Sequence, residues 1–162
     1  MIKTIVLGGG CFWGLQDLIR KQPGVVATRV GYAGGRVEDP TYERHDGHAE
    51  SVEVSYDTDV TTLRDILDFF FQIHDPTTLN QQGNDRGESY RSVIFYADEA
   101  ERKQAEKFIE IVNTSGRWSS PVVTTLEPLQ KFYLAEDYHQ DYLLKNPGGY
   151  TCHFIRFGSY LE

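Results

Sequence analysis

The N-terminal stretch constrains the fold more than any other part of the chain. An apolar run, Ile2–Leu7, breaks into Gly8-Gly9-Gly10, and Cys11 then opens an amphipathic segment, Phe12–Lys21, that stops at Pro23-Gly24. The run is short and unbroken, as a fully buried strand is, while Leu15, Leu18 and Ile19 fall on one face of a helix. Strand and helix must therefore share a core from the outset. The rest of the chain continues the mixture. Val25–Ala33 reads as a second strand and Glu50–Tyr56 as a third. Thr61–His74 reads as a helix with Leu63, Ile66, Leu67, Phe70 and Ile73 on its inward stripe. Tyr90–Tyr96 is a strand, Asp98 is placed to cap a helix over Glu99–Val112, and Pro121–Leu126 is a further strand. Glu136–Leu144 is a short helix ended by Asn146-Pro147-Gly148-Gly149, and the chain from Tyr150 to Glu162 is irregular. The long polar connection Asp75–Ser89 is of the kind that is functional or mobile. With no repeat and no linker, residues 1–162 form one domain. The expected fold class is α+β (mixed α/β), a two-layer sandwich of a central mixed sheet and flanking helices, with an irregular tail over 145–162.

Charge and cysteine usage narrow the function. The chain has 162 residues, with 16 basic and 24 acidic side chains and a net charge of −8. That balance repels phosphate backbones and anionic lipid, so nucleic acid and membrane are not expected as partners. The apolar runs are too short to span a bilayer, and the first of them meets glycines rather than a cleavage site. A monomeric cytoplasmic protein is the expectation. Its two cysteines, Cys11 and Cys152, stand near opposite ends of the sequence. They make a poor structural disulfide framework in a reducing compartment and lack the close pairing of a zinc site, so no metal is expected.

Two residues are out of place for a purely structural role. Cys11 sits at a helix start, where unpaired N–H groups and the helix dipole favour a thiolate; a lone cysteine is otherwise a small buried hydrophobe. In Glu50–Tyr56, alternation puts Glu50, Val52, Val54 and Tyr56 on one face and Ser51, Glu53 and Ser55 on the other. The second set is the solvated one, which leaves the Glu50 carboxyl on the apolar face. Phe12 and Trp13, beside Cys11, fit either the core or the wall of an apolar pocket next to the sulfur.

Gly8-Gly-Gly-Cys-Phe-Trp-Gly14 resembles the active-site signature of peptide methionine sulfoxide reductases of the A type. The likeness continues in order through Gly31-Tyr-Ala-Gly-Gly35, Pro40-Thr-Tyr42, Gly47-His-Ala-Glu50, Gln82-Gly-Asn-Asp85, Tyr90-Arg-Ser92, Tyr138-His-Gln140 and Gly149-Tyr-Thr-Cys152. The resemblance implies reduction of free and protein-bound methionine-S-sulfoxide. Cys11 would be the nucleophile toward sulfur and Glu50 the acid that protonates the sulfoxide oxygen. Tyr42 and Tyr90 would donate hydrogen bonds to that oxygen, and Asp85 would help to hold substrate and water. Phe12 and Trp13 would hold the methyl group. The Cys11 sulfenic acid left behind would condense with Cys152, carried on a glycine-rich tail able to swing toward the site, and thioredoxin would reduce the disulfide. No bound cofactor is implied, only an external thiol reductant. Many relatives have a third cysteine; this chain has none, so the resemblance implies Cys11–Cys152 as the terminal disulfide. Between Tyr42 and Glu50 it carries Glu-Arg-His-Asp-Gly-His-Ala, shorter than in many relatives. His48 and His139 read as structural hydrogen-bonding residues.

Two other classes compete. A cysteine hydrolase would pair Cys11 with His48 or His139 as base and would not need Cys152. A binding module would hold oxidised methionine in the aromatic pocket and convert nothing.

Overall fold

A computed structural model describes residues 1–161; Glu162, counted above in the domain and its tail, lies outside the described residues. The elements run β1 (Ile2–Gly8), α1 (Phe12–Ile19), β2 (Val25–Ala33), β3 (Ala49–Asp57) and α2 (Leu63–Phe70). Two-residue strands β4 (Gln81–Gln82) and β5 (Asp85–Arg86) follow, then β6 (Val93–Tyr96), α3 (Glu99–Thr114), β7 (Thr125–Pro128), β8 (Phe132–Leu134) and α4 (Tyr142–Lys145). Six strands form one sheet in the order β7-β6-β1-β3-β2-β8, while β4 and β5 pair apart from it. Only the β6–β7 contact is parallel, so the sheet is mixed, as expected.

The sheet has one face for the helices. Ile5, Leu7, Val30, Tyr32, Val52, Val54, Tyr56 and Ile94 meet Leu15, Ile19, Ile66, Leu67, Phe70, Phe108 and Val112 of α1, α2 and α3. The other face is covered by a smaller cluster of Val6, Ala33, Ala49, Val93 and Phe95, with Leu129 and Phe132 against it. That cover corrects one expectation. Glu53 and Ser55 are partly open, but Ser51 is wholly buried, its hydroxyl donating to the Ala49 carbonyl. Glu50 does lie on the buried face with Val52, Val54 and Tyr56.

Element ends differ where the local signal was overridden. Thr62 rather than Thr61 starts α2, its side chain accepting from Asp65 N, and Asp98 caps α3 through Glu101 N. Tyr90 belongs to a 3₁₀ turn, Glu88–Tyr90, ahead of β6. Residues 121–124 do not pair in the sheet. Val122 N donates to Asn113 Oδ1 and Val123 N to the Pro76 carbonyl, and the ladder begins only where Thr125 N reaches Ser92 O. The stretch Glu136–Leu144 is not one helix. It is a 3₁₀ turn, Asp137–His139, then α4, broken at Asp141, whose φ of 53° is left-handed. There the Gln140 amide turns back to bond Val30 N and O, and Asp141 N donates to Gln16 Oε1. No helix among the described residues is long and apolar enough to cross a membrane.

Candidate active site

Three glycines bring β1 into α1 at close quarters. A Cβ on Gly8 would lie 2.7 Å from Val93 Cγ1, and Gly10 turns with φ +94° where a Cβ would meet Gln82 Cγ at 2.7 Å. The turn delivers Cys11 to the N-cap of α1, 8% exposed and with no side-chain cap of its own. Side chains at this helix start must satisfy N–H groups that have no partner one turn earlier. Glu50 supplies one acceptor: its Oε1 takes the Phe12 N–H at 3.1 Å, across 38 residues of sequence.

Burial decides the electrostatics here. The Glu50 side chain is 1% exposed, and its carboxyl is pushed up from 4.5 to about 8, chiefly by burial, with the Phe12 N–H opposing and the Asp85 charge adding to the rise. It is a proton donor at neutral pH. The thiolate expected of Cys11 is not what the fold favours. Burial first and the Glu50 charge second push the thiol well above its ordinary value, and the Trp13 N–H opposes them without prevailing. Desolvation of a nearly enclosed sulfur outweighs the partial charge of the helix start. While Glu50 keeps its proton, the second of those causes is absent.

The sequence-derived candidates converge on this point. Tyr42 and Tyr90 are raised first by burial and then by the Glu50 charge, and both also feel Cys11 and Asp85. Tyr42 is fixed by its backbone N–H, which donates to Glu136 Oε2 at 3.0 Å. Asp85, on β5, accepts the Tyr150 hydroxyl at 3.0 Å, and the Cys152 thiol lies 3.9 Å from the same oxygen. Cys152 is half-buried and close enough to Cys11 for its charge to act there; its own thiol is raised, mainly by burial and then by Asp85. The tail lies against the Cys11 turn, with His153 Nε2 2.6 Å from the Gly9 carbonyl.

Phe12 and Trp13 take different surroundings. Phe12 is wholly buried, 5.7 Å from the Tyr32 ring, while Trp13 is part-exposed and stacks on Tyr142 at 3.8 Å. The indole N–H donates to His139 Nδ1 at 2.9 Å, which leaves His139 Nε2 buried without a partner. His48 accepts from Gly35 N and donates to the Val37 carbonyl. Both ring nitrogens of His48 are thus spent on backbone, and His139 is committed to Trp13, so neither is bonded to Cys11 as a hydrolase base would be. Three residues without an assigned role in the sequence complete the surroundings. Glu136 holds the Tyr32 hydroxyl as well as Tyr42 N, Tyr150 bonds Asp85, and His153 bonds the Gly9 carbonyl. Tyr150 and His153 flank Cys152 in sequence, a proximity that could have drawn attention to both. Among the described residues no group of three His, Cys, Asp or Glu side chains is placed to hold a metal ion.

An acid, a thiol and a second thiol gathered at one helix start match a known family along the chain. The family model described as peptide methionine sulfoxide reductase matches residues 3–159. The peptide methionine sulfoxide reductase MsrA of Nocardia farcinica is 60% identical over 154 residues, covering 95% of this chain and 91% of that protein. The reduced form of Mxr1 from Saccharomyces cerevisiae superposes with a TM-score of 0.89 at 42% identity, over 96% of this chain and 93% of that one. Mxr1 in complex with Trx2 matches at 0.66 and 32% identity, over 96% and 91%. With the signature residues in place around Cys11 and the match running nearly end to end, the chain belongs to the peptide methionine sulfoxide reductase family.

Proposed function

We propose that the chain reduces methionine-S-sulfoxide, free or within oxidised proteins, with Cys11 as nucleophile and Glu50 as acid. The observation that carries this reading is the buried Glu50 carboxyl, tied to the first N–H of α1 and protonated at neutral pH beside the Cys11 thiol. Glu50 gives its proton to the sulfoxide oxygen while Cys11 Sγ attacks the sulfur, a step in which a positioned acid contributes roughly 10²–10⁴-fold. Tyr42 and Tyr90, whose hydroxyls are neutral at working pH and raised further by burial, donate to the same oxygen, and Asp85 orders substrate and water opposite them. Trp13, part-exposed, receives the methyl group, with wholly buried Phe12 packed behind it. An apolar wall on one side and oxygen donors on the other distinguish the two epimers at a stereogenic sulfur.

The atoms balance. The sulfoxide oxygen ends on Cys11 as a sulfenic acid, the thiol proton replaces the one Glu50 gave, and methionine leaves. Cys152 then displaces that oxygen as water and forms a disulfide with Cys11. No bound cofactor takes part; the electrons come from an external dithiol. Thioredoxin suits that role, supported by the solved complex of Mxr1 with Trx2, and we place the cycle in a reducing cytoplasm.

A single turnover without reductant tests the whole reading. Reduced protein is mixed with each epimer of methionine sulfoxide, and methionine and free thiols are counted. The expected result is about one methionine per chain and loss of both thiols, with the S epimer only. No methionine from either epimer sinks the reductase, and one surviving thiol removes Cys152 from its part.

A further inference from the structure

His153 is a buried ionisable group at the site that the reaction above does not use. It is 6% exposed, directly follows Cys152, and its Nε2 lies 2.6 Å from the Gly9 carbonyl, one residue before Gly10 and two before Cys11. A carbonyl only accepts, so Nε2 carries the hydrogen and Nδ1 a lone pair. Burial pushes this imidazole down to about 4, which keeps it neutral and preserves that arrangement at working pH.

The ring occupies a notch that only glycines leave open. A Cβ on Gly10 would come within 3.1 Å of His153 Cε1, and one on Gly14 within 2.5 Å of His153 Nδ1. The same Gly14 Cβ would stand 2.2 Å from Thr151 Oγ1, which accepts the His153 N–H at 3.1 Å. Thr151 and His153 therefore sit on the first turns of α1, one on each side of Cys152. The thiol between them rests over Gly83, whose Cβ position is 3.3 Å from Cys152 Cβ. Cys152 Sγ lies 3.9 Å from His153 Nδ1, within reach of a sulfur hydrogen bond. Without this latch the Cys152 segment would have to order itself against the Cys11 turn, and meet the entropy of doing so, in every turnover.

We propose that His153 is a positioning residue for the resolving step, pinning the Cys152 segment onto the Cys11 turn through Gly9 and accepting the Cys152 thiol hydrogen at Nδ1. In that step the Cys152 S–H, aimed by the Nδ1 lone pair, breaks with its proton passing to the departing sulfenic oxygen. The Cys152 sulfur, oxidised as it bonds to Cys11, displaces the sulfenic oxygen. That oxygen takes up the proton and leaves as water, and no further oxidant or reductant is needed. The inference rests on the proposed reductase chemistry but concerns only its second half.

The test separates the two halves in one experiment on the full chain. Methionine release, sulfenic acid (trapped with a cyclic 1,3-dione) and free thiols are followed during a single turnover with methionine-S-sulfoxide. His153→Ala is expected to release methionine and to accumulate sulfenic acid, as a Cys152→Ser control does. Loss of the second thiol slows about tenfold, the effect of one lost buried hydrogen bond. His153→Gln restores part of the rate, since its amide nitrogen reaches the Gly9 carbonyl but offers no lone pair at the Nδ1 position. Gly14→Ala leaves His153 intact and suits a helix better, yet fills the notch, and is expected to show the same selective slowing. Should His153→Ala fail to fold, Gly14→Ala decides. Disulfide formation at the unaltered rate in either variant overturns the proposal. Failure of the unaltered chain to make methionine is a different result, and it overturns the reductase reading on which the latch depends.

Discussion

Glu50 shows how one residue can be visible in a sequence while its consequences are not. Strict alternation from Glu50 to Tyr56 puts a carboxyl on an apolar face, and the fold places it there. Burial then moves its titration from 4.5 to about 8. The folded chain holds that proton more tightly than the unfolded chain, so the stabilisation it brings is complete below about pH 4.5 and is lost as pH rises through about 8. Glu50→Gln keeps an oxygen for the Phe12 N–H but has no proton to lose. Urea unfolding at a series of pH values is expected to show a falling midpoint for the unaltered chain across that window and a flatter one for Glu50→Gln; equal slopes would mean that another group carries the effect. First-turnover methionine release should drop by roughly 100-fold or more in the same variant. Cys11 was legible as a reactive candidate, but the direction of its pKa was not. The helix start is a local feature that favours the thiolate, and the enclosure that reverses it is assembled by distant residues, Glu50 first among the charges. Nor could chemistry alone select Tyr42 and Tyr90 among ten tyrosines. Their coupling to Glu50 is a property of the folded chain.

At the scale of elements, signals carried by adjacent residues held and those decided by a partner strand or loop did not. Asp98 caps α3 because an N-cap needs only the next few residues. β8 went unread because its pairing with Gly31–Ala33 joins segments about 100 residues apart, and β7 begins late because Asn113 and Pro76 claim the N–H groups before it. The stretch Glu136–Leu144 has a helical pattern, yet Asp141 turns left-handed so that its N–H can reach Gln16 and α4 can lie along α1. That break is what brings Tyr142 flat against Trp13. Asp141→Val is therefore expected to destabilise by about 1–3 kcal/mol, because a β-branched residue resists positive φ, whereas Asp141→Gly should stay within about 1 kcal/mol of the unaltered chain. Thermal unfolding reads the difference, and Trp13 fluorescence should shift only in the valine variant. Equal stabilities for the two variants would show that the left-handed turn is not needed to place α4.

For the whole molecule the unexpected element is the C-terminal segment, which the sequence presents as irregular and which the fold uses as a strap tied at both ends. Before and after Cys152 it is held to α1 and the Cys11 turn through Thr151 and His153. Farther along, Arg156 N donates to Gln72 O, and Arg117 donates to the carbonyls of Gly158 and Ser159 while lying over the Tyr160 ring at 4.2 Å. Asp68, on α2, closes the far end. One of its oxygens accepts Tyr160 N at 2.8 Å and the other the Ser159 hydroxyl at 2.7 Å, while the Tyr160 hydroxyl donates to the Phe71 carbonyl. None of these contacts has a periodic signature, since each joins residues from remote parts of the sequence. The two ties have separable consequences. Asp68→Ala leaves the buried Tyr160 N–H unpaired and should cost about 2–3 kcal/mol, with faster hydrogen exchange at Ser159 and Tyr160 than in β1 or β3. Because Thr151 and His153 still hold the near end, the second thiol should be lost at an unchanged rate in a single turnover. A variant in which both stability and disulfide formation fell together would show instead that the strap acts as one body, with the distant Tyr160 anchor setting where Cys152 stands.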